Sequence, residues 1–284
     1  MSERLSVRKT YKLFIGGAFP RSESGRTVIV NDAKGRLLAN AARASRKDVR
    51  DAVVAARKAQ SGWAARTGYN RGQILYRIAE MLEGRRGQFV EELRDTGLGK
   101  AAAAAEVDAA IDRWVWYAGW ADKIAQVTGS ANAVSGPFFN FSTPEPTGVV
   151  GVVAPDSPLL GLVSVIAPVI VTGNTAVVVA SEPGPLPAIT LAEVLATSDV
   201  PGGVVNLLTG HRAELAPWLA SHQDVNAIDL AGAPDDLAAD CARAAADNLK
   251  RVRRPAAGDW TADPGTARMT AFLETKTVWH PVGV

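Results

Sequence analysis

The chain is poor in the residues that mark covalent or extracellular architectures. It has one cysteine, Cys241, in 284 residues, so an intramolecular disulfide is excluded and nothing in its cysteine usage points to an oxidising compartment. Charge of one sign is also scarce. The 31 Lys and Arg stand against 29 Asp and Glu, for a formal charge of +2, and the basic residues are dispersed. Neither a nucleic acid nor a membrane is therefore an expected partner. A long unbroken apolar run is missing too. Between Gly148 and Ala180 the only charge is Asp156, yet Pro155, Pro158, Gly161, Pro168 and Gly173 interrupt the run before it reaches the ~20 apolar residues that a spanning helix needs. The first residues, MSERLSVRKT, have no apolar centre of a signal peptide, and the cytoplasm is the expected compartment. His211, His222 and His280 are scattered without metal-ligand spacing, no metal site is expected, and no Gly-x-Gly-x-x-Gly loop occurs.

What is present is apolar periodicity. At 47% hydrophobic residues the chain has material for one large or two modest cores. The opening, YKLFIGGAFPRSESGRTVIVNDAKGRLLANAARAS, reads as short strands over Leu13–Ile15, Thr27–Val30 and Leu37–Ala39, separated by glycine turns. Ser45 followed by Asp48 starts a helix that runs to about Gln60, with Val49, Val53 and Ala56 on one face. Further helices fit Arg71–Arg86, Gln88–Asp95 and the alanine-rich AAAAAEVDAAIDRWVWYAGWADKIA, whose tryptophans are spaced as core residues. Residues 127–146 change to small polar residues and a Phe138, Phe139, Phe141 cluster, as a β-hairpin leaving the main body would.

From Gly148 the pattern is strand then helix, repeated: GVVGVVA, Leu159–Ile170, TAVVVA, Pro187–Ala196, GVVNLLT, Ala213–Ser221, VNAIDL and Asp235–Leu249. Continuous apolar strands alternating with helices imply an α/β fold, a parallel sheet covered by helices on both faces. The cations of Lys250–Arg254 then fall on the last turn of a helix, where they complement its dipole rather than grip a phosphate. RRPAAGDWTADPGTARM shows no periodicity and reads as a linker, whereas AFLETKTVWHPV alternates as a strand in need of a partner.

The stretches LFIGGAFPRSESGRT, ASRKDVRDAVVAARKAQSGW, RGQILYRIAEMLE, TGVVGVVAP, IAPVIVTGNTAVVV, VPGGVVNLLTG and LASHQDVNAI, in this order and spacing, resemble the NAD(P)-dependent aldehyde dehydrogenase superfamily. The likeness runs from Tyr11 to about Val252, and FLETKTVW is similar to the family's last strand, which helps join subunits. It implies a Rossmann-like cofactor domain over residues 1–126 and 147–252, and an oligomerisation element over 127–146 and 270–284. Residues 253–269 would be a linker standing where the family carries its catalytic domain and cysteine nucleophile.

The resemblance also implies lost chemistry. The family's oxyanion-stabilising asparagine falls on Asp156 or Ser157, within Pro155-Asp156-Ser157-Pro158, and an ionised Asp accepts rather than donates hydrogen bonds. Both are read as vestigial positions. The ribose-gripping lysine is Val179, the proline after it Ala180, and Glu182 is the vestige that remains. At the pyrophosphate turn Gly232 is kept, the serine is Ala233, and Asp235 and Asp236 follow. The general-base region falls on Pro255-Ala256-Ala257-Gly258. Cys241 sits mid-helix among alanines, not where a reactive thiol would be.

With no substitute cation in view, no bound cofactor is expected, although the family uses NAD(P). The expected function is a catalytically inactive aldehyde dehydrogenase-like subunit. Its expected partner is a full-length aldehyde dehydrogenase, joined through the hairpin and C-terminal strand. The alternatives are an NAD(P)-dependent aldehyde oxidoreductase and a stand-alone nucleotide or small-ligand binding module.

Overall fold

Four buried strands and one partly exposed edge strand form a wholly parallel sheet in the computed structural model, which describes residues 9–255 and 258–283. In chain order, the hairpin β1 (Thr27–Asn31) and β2 (Leu37–Ala42) is followed by the helices α1 (Arg46–Ala64), α2 (Gly68–Glu83), α3 (Arg86–Asp95), α4 (Lys100–Trp120) and α5 (Ile124–Thr128). Next come β3 (Ser130–Asn132) and β4 (Phe138–Pro146). The alternating half is β5 (Val149–Val153), α6 (Leu160–Val171), β6 (Thr175–Val179), α7 (Leu186–Ala196), β7 (Val205–Leu208), α8 (Arg212–Ser221), β8 (Ala227–Asp229), α9 (Asp235–Ala245) and β9 (Arg251–Arg253). The chain closes with α10 (Ala267–Thr270) and β10 (Leu273–Pro281).

The sheet order is β7-β6-β5-β8-β9, so the chain winds outward from β5 in both directions. Alternation along each strand decides what covers each face. Val150 and Val152 of β5, with Ala176 and Val178 of β6, pack into the cluster holding α2, α3, α4, α6 and α7. Val149, Val153, Val177 and Val179 point the other way, onto α1, α8 and α9. Every residue of α6 is buried, as its lack of charge anticipates. Helix α1 starts on a capping box: the Ser45 hydroxyl accepts from the Lys47 and Asp48 amides and the Asp48 carboxylate from the Ser45 amide.

The hairpin β3–β4 joins β10 in a second, antiparallel sheet of order β10-β4-β3, in which β10 runs along β4 from Leu273 against Pro146 to Pro281 against Phe138. Asn174, fully buried, ties this sheet to the first. Its side-chain oxygen accepts from the Gly148 amide at 2.7 Å and its nitrogen donates to the Phe272 carbonyl at 2.8 Å.

Several elements differ from the sequence expectation: Leu13–Ile15 makes only isolated bridges, and the long alanine-rich helix breaks between Trp120 and Ile124 into α4 and α5. The helix expected through Leu249 stops at Ala245, passes through a tight turn, and reverses at Leu249, which takes a left-handed φ of 57°. Arg251–Arg253 then pair in parallel with β8. The cations therefore lie on an edge strand and not on a helix terminus. Three residues of alternating charge carry no strand signature, so only the pairing with β8 explains them. The stretch read as a linker also holds α10. Ala256 and Ala257 of the expected general-base region lie outside the described residues.

Candidate functional site

In an open parallel sheet the crevice beyond the carboxyl ends of the strands, where the winding reverses, is where a ligand binds. Here that point lies between β5 and β8, and the residues that follow β5, β6, β7 and β8 converge on it. Pro155 and Asp156 follow β5; Ser181 and Glu182 follow β6; His211 and Arg212 follow β7; Gly232 follows β8. The Gly232 amide donates to the Val153 carbonyl at 2.9 Å. A Cβ at Gly232 would lie 1.9 Å from the Ala154 carbonyl oxygen, so only glycine lets this loop lie against the end of β5.

Arg212, the first residue of α8, holds the cluster together. Its guanidinium donates to the Asp156 carboxylate and to the Gly232 carbonyl, and its backbone amide donates to Glu182 Oε2 at 3.1 Å. His211 Nδ1 lies 2.6 Å from Glu182 Oε1. Partial burial pushes the Glu182 carboxyl up, but the hydrogen bonds from His211 and the Arg212 amide outweigh it and hold the group below its ordinary value. The Arg212 side chain is 14% exposed, so it is at once paired and largely withdrawn from water. Sequence reasoning missed this cation. Arg212 is 30 residues beyond Glu182 in the chain, and only the side-by-side pairing of β6 and β7 unites them.

The two strand-end vestiges do structural work. Ser157 Oγ accepts from the Gly161 amide at 2.9 Å and donates to Glu106, whose carboxylate also accepts from the Leu159 and Leu160 amides. Between them they satisfy amides at the start of α6 that have no intrahelical partner. Asp156 is the counter-charge of Arg212. Neither is arranged to donate a hydrogen bond to an oxyanion in the crevice.

Cys241 is 1% exposed on α9, among Leu215, Ala238 and Ala245. Burial, with Asp240 adding to it, pushes its thiol up to about 11, so the thiolate fraction at neutral pH is negligible. Among the described residues no group of His, Cys, Asp and Glu is arranged to hold a metal ion, and no helix is long and apolar enough to cross a membrane.

The geometry agrees with what comparison with known proteins finds. The profile of the aldehyde dehydrogenase family matches residues 19–258. This chain belongs to the aldehyde dehydrogenase family. It is 34% identical over 249 residues to cytosolic aldehyde dehydrogenase 1 of Elephantulus edwardii, covering 85% of this chain and 49% of that one. It is 38% identical over 234 residues to a 2-hydroxymuconic semialdehyde dehydrogenase of a Pseudomonas species, covering 79% and 48%. Among solved structures, the NAD+ complex of an aldehyde dehydrogenase from Bacillus cereus superposes with a TM-score of 0.81 at 28% identity, over 86% of this chain and 50% of that one. The chain thus spans about half the length of the curated relatives it matches.

These structures correct one expectation. The fold shared by this chain is that of NAD-dependent enzymes, one of them solved with NAD+ bound, which points to an NAD(P) cofactor rather than to none. The expectation of no cofactor weighed lost side chains one at a time. It did not see that Arg212 joins the loops after β5, β6 and β8. Asp235 and Asp236, read as repelling a pyrophosphate, are exposed, where solvent and salt screen them.

Proposed function

We propose that this aldehyde dehydrogenase-family chain is a catalytically inactive subunit that binds NAD(P) in its strand-end crevice and assembles with a full-length aldehyde dehydrogenase, which it stabilises or regulates. The observation that carries the reading is a contrast. The sequence's one thiol is buried and unreactive, while the sheet through which the resemblance implies subunit contact is fully formed. Among the described residues the outer edge of β10 pairs with no strand, and Phe139 and Trp279 remain about half exposed. An open strand edge with aromatic neighbours invites pairing with another chain.

For the cofactor, Arg212 supplies a cation for phosphate oxygens, the Gly232 turn lets backbone approach, and the Glu182 carboxylate accepts a ribose hydroxyl. When bound, the dinucleotide supplies a hydride acceptor. Without a nucleophile of its own, the chain uses the crevice for binding. Arg212 also favours a second reading, a stand-alone nucleotide-binding module, which one experiment separates from the first. The chain is isolated gently from its own cells and the co-purifying proteins are identified and quantified by mass spectrometry. A full-length aldehyde dehydrogenase at fixed ratio is expected. Recovery of the chain alone, as a monomer or homomer, overturns the subunit reading and leaves the binding module.

A further inference from the structure

Beside β9, residues 258–268 lie against α4 and α6 and line a cavity of about 200 Å³ that is open to solvent on one side. Three arginines line it: Arg113 of α4, Arg253 of β9 and Arg268 of α10. Arg113 is spent on the stretch itself, donating to the Trp260 carbonyl at 2.7 Å and the Ala262 carbonyl at 3.0 Å. Arg268 donates to Asp229 at 2.5 Å and lies 4.8 Å from the centre of the Trp260 ring, which covers it. Arg253 approaches the same carboxylate only to 3.9 Å, and its buried Nε has no hydrogen-bond partner among the described residues. Asp229 is 1% exposed and is the one buried carboxylate against three guanidinium groups. The rim carries two more carboxylates, Asp259 and Asp263. Both are exposed and occupied with their own turns, accepting from the Thr261 and Gly265 amides.

The unmatched polar groups here have one chemical character. Ser164, on α6, is 1% exposed, lines the cavity, and its hydroxyl has no partner among the described residues. The Tyr117 phenol, fully buried within the field of all three arginines, has Arg113 as a hydrogen-bonding neighbour and does not line the cavity. An Arg Nε is only a donor, and the Ser164 hydroxyl has a proton to give. A buried donor without an acceptor costs free energy that a ligand supplying acceptors would recover. At the cavity the partly exposed Arg253 and the largely buried Arg268 share the single buried carboxylate of Asp229, so the acceptor that would match them is anionic. A cavity of this size takes a ligand of roughly ten heavy atoms or fewer.

We propose that this cavity binds a small oxyanion, a phosphate or a short carboxylate, received by the Arg253 and Arg268 guanidinium groups and the Ser164 hydroxyl. The planar fork of arginine suits both oxyanions. The cavity's lining shares no residue with the Arg212, Glu182 and Gly232 cluster, though Gly258 falls in the expected general-base region, and the proposal does not rest on the subunit reading.

The test uses the whole chain at constant ionic strength, with sodium phosphate and sodium acetate titrated against sodium chloride. It is followed by thermal unfolding and by calorimetric titration. A saturable response is expected, with a Tm rise of roughly 3 °C at tenfold excess over Kd. The arm that saturates identifies the oxyanion as phosphate or carboxylate. Ser164→Ala, which removes an unmatched hydroxyl and leaves the unliganded fold at least as stable, is expected to weaken binding several-fold. Arg253→Gln is expected to weaken it about tenfold or more. No saturable response to either anion overturns the proposal, as does an equal response in wild type and both variants.

Discussion

Arg212 decides whether the strand-end crevice is a relic or a binding site. Its guanidinium is held by Asp156 and Gly232 in the loops after β5 and β8, so a phosphate at the strand ends would have to share it with Asp156. Charge-assisted hydrogen bonds contribute about 1.5–3 kcal/mol each, and 1.4 kcal/mol is about a tenfold change in Kd. Arg212→Gln is therefore expected to weaken NAD+ binding by about tenfold or more, measured by calorimetry or by quenching of tryptophan fluorescence. Unchanged affinity would place the cofactor phosphates elsewhere. At this scale the sequence was legible only where chemistry is local. Cys241 among alanines could be read directly as an inert thiol. Arg212 could not, because its partners sit after three other strands, and nothing in HRAEL distinguishes a crevice cation from a helix-start surface residue.

Elements were legible where burial is periodic and opaque where pairing alone makes them. The resemblance and the α/β fold class are borne out by the family match and the superposed structures, and β5 and β6 were visible as valine runs. Strand β9 was not. Arg251 and Arg253 look like helix-end cations until Leu249 turns the chain and sets Arg253 beside Asp229. The join between the two sheets was hidden for the same reason, since Asn174 reads as a turn residue in TGN. In the fold it satisfies the Gly148 amide and the Phe272 carbonyl, and its nitrogen also donates to Thr172 at 2.9 Å. Asn174→Ala would leave the buried Gly148 amide unmatched, at a cost of about 1–3 kcal/mol, and would take one of two donors from the Phe272 carbonyl, which still accepts from the Thr147 amide. A loss of roughly 2 kcal/mol in urea unfolding is expected, with the amides of β10 exchanging faster than those of β5. Equal exchange in both strands would mean that Asn174 stabilises the molecule without anchoring the second sheet.

The molecule as a whole carries a small second sheet in which, among the described residues, one edge of β10 pairs with no strand. Strand β10 is held on one side along its full length by β4, and Arg251 bridges bidentately to Glu274 at its start, so it is fixed in place before any partner arrives. Near its end Trp279 meets Phe138 edge-on with ring centres 5.7 Å apart, and Phe139 packs on Phe141, yet Trp279 and Phe139 keep 57% and 51% of their surface exposed. Such aromatics add little to the stability of the isolated chain, because most of their area is in water in either state. Their contribution would appear on association, where a buried aromatic anchor is worth about 2 kcal/mol or more. The double variant Phe139→Ser and Trp279→Ser is therefore expected to leave the chain's Tm within about 2 °C of wild type. The same variant is expected to weaken its complex with a full-length aldehyde dehydrogenase at least tenfold, measured by native mass spectrometry or analytical ultracentrifugation on the mixed chains. If the Tm falls steeply, the pair belongs to the chain's own core. If the complex is unaffected, the subunit contact lies on another surface.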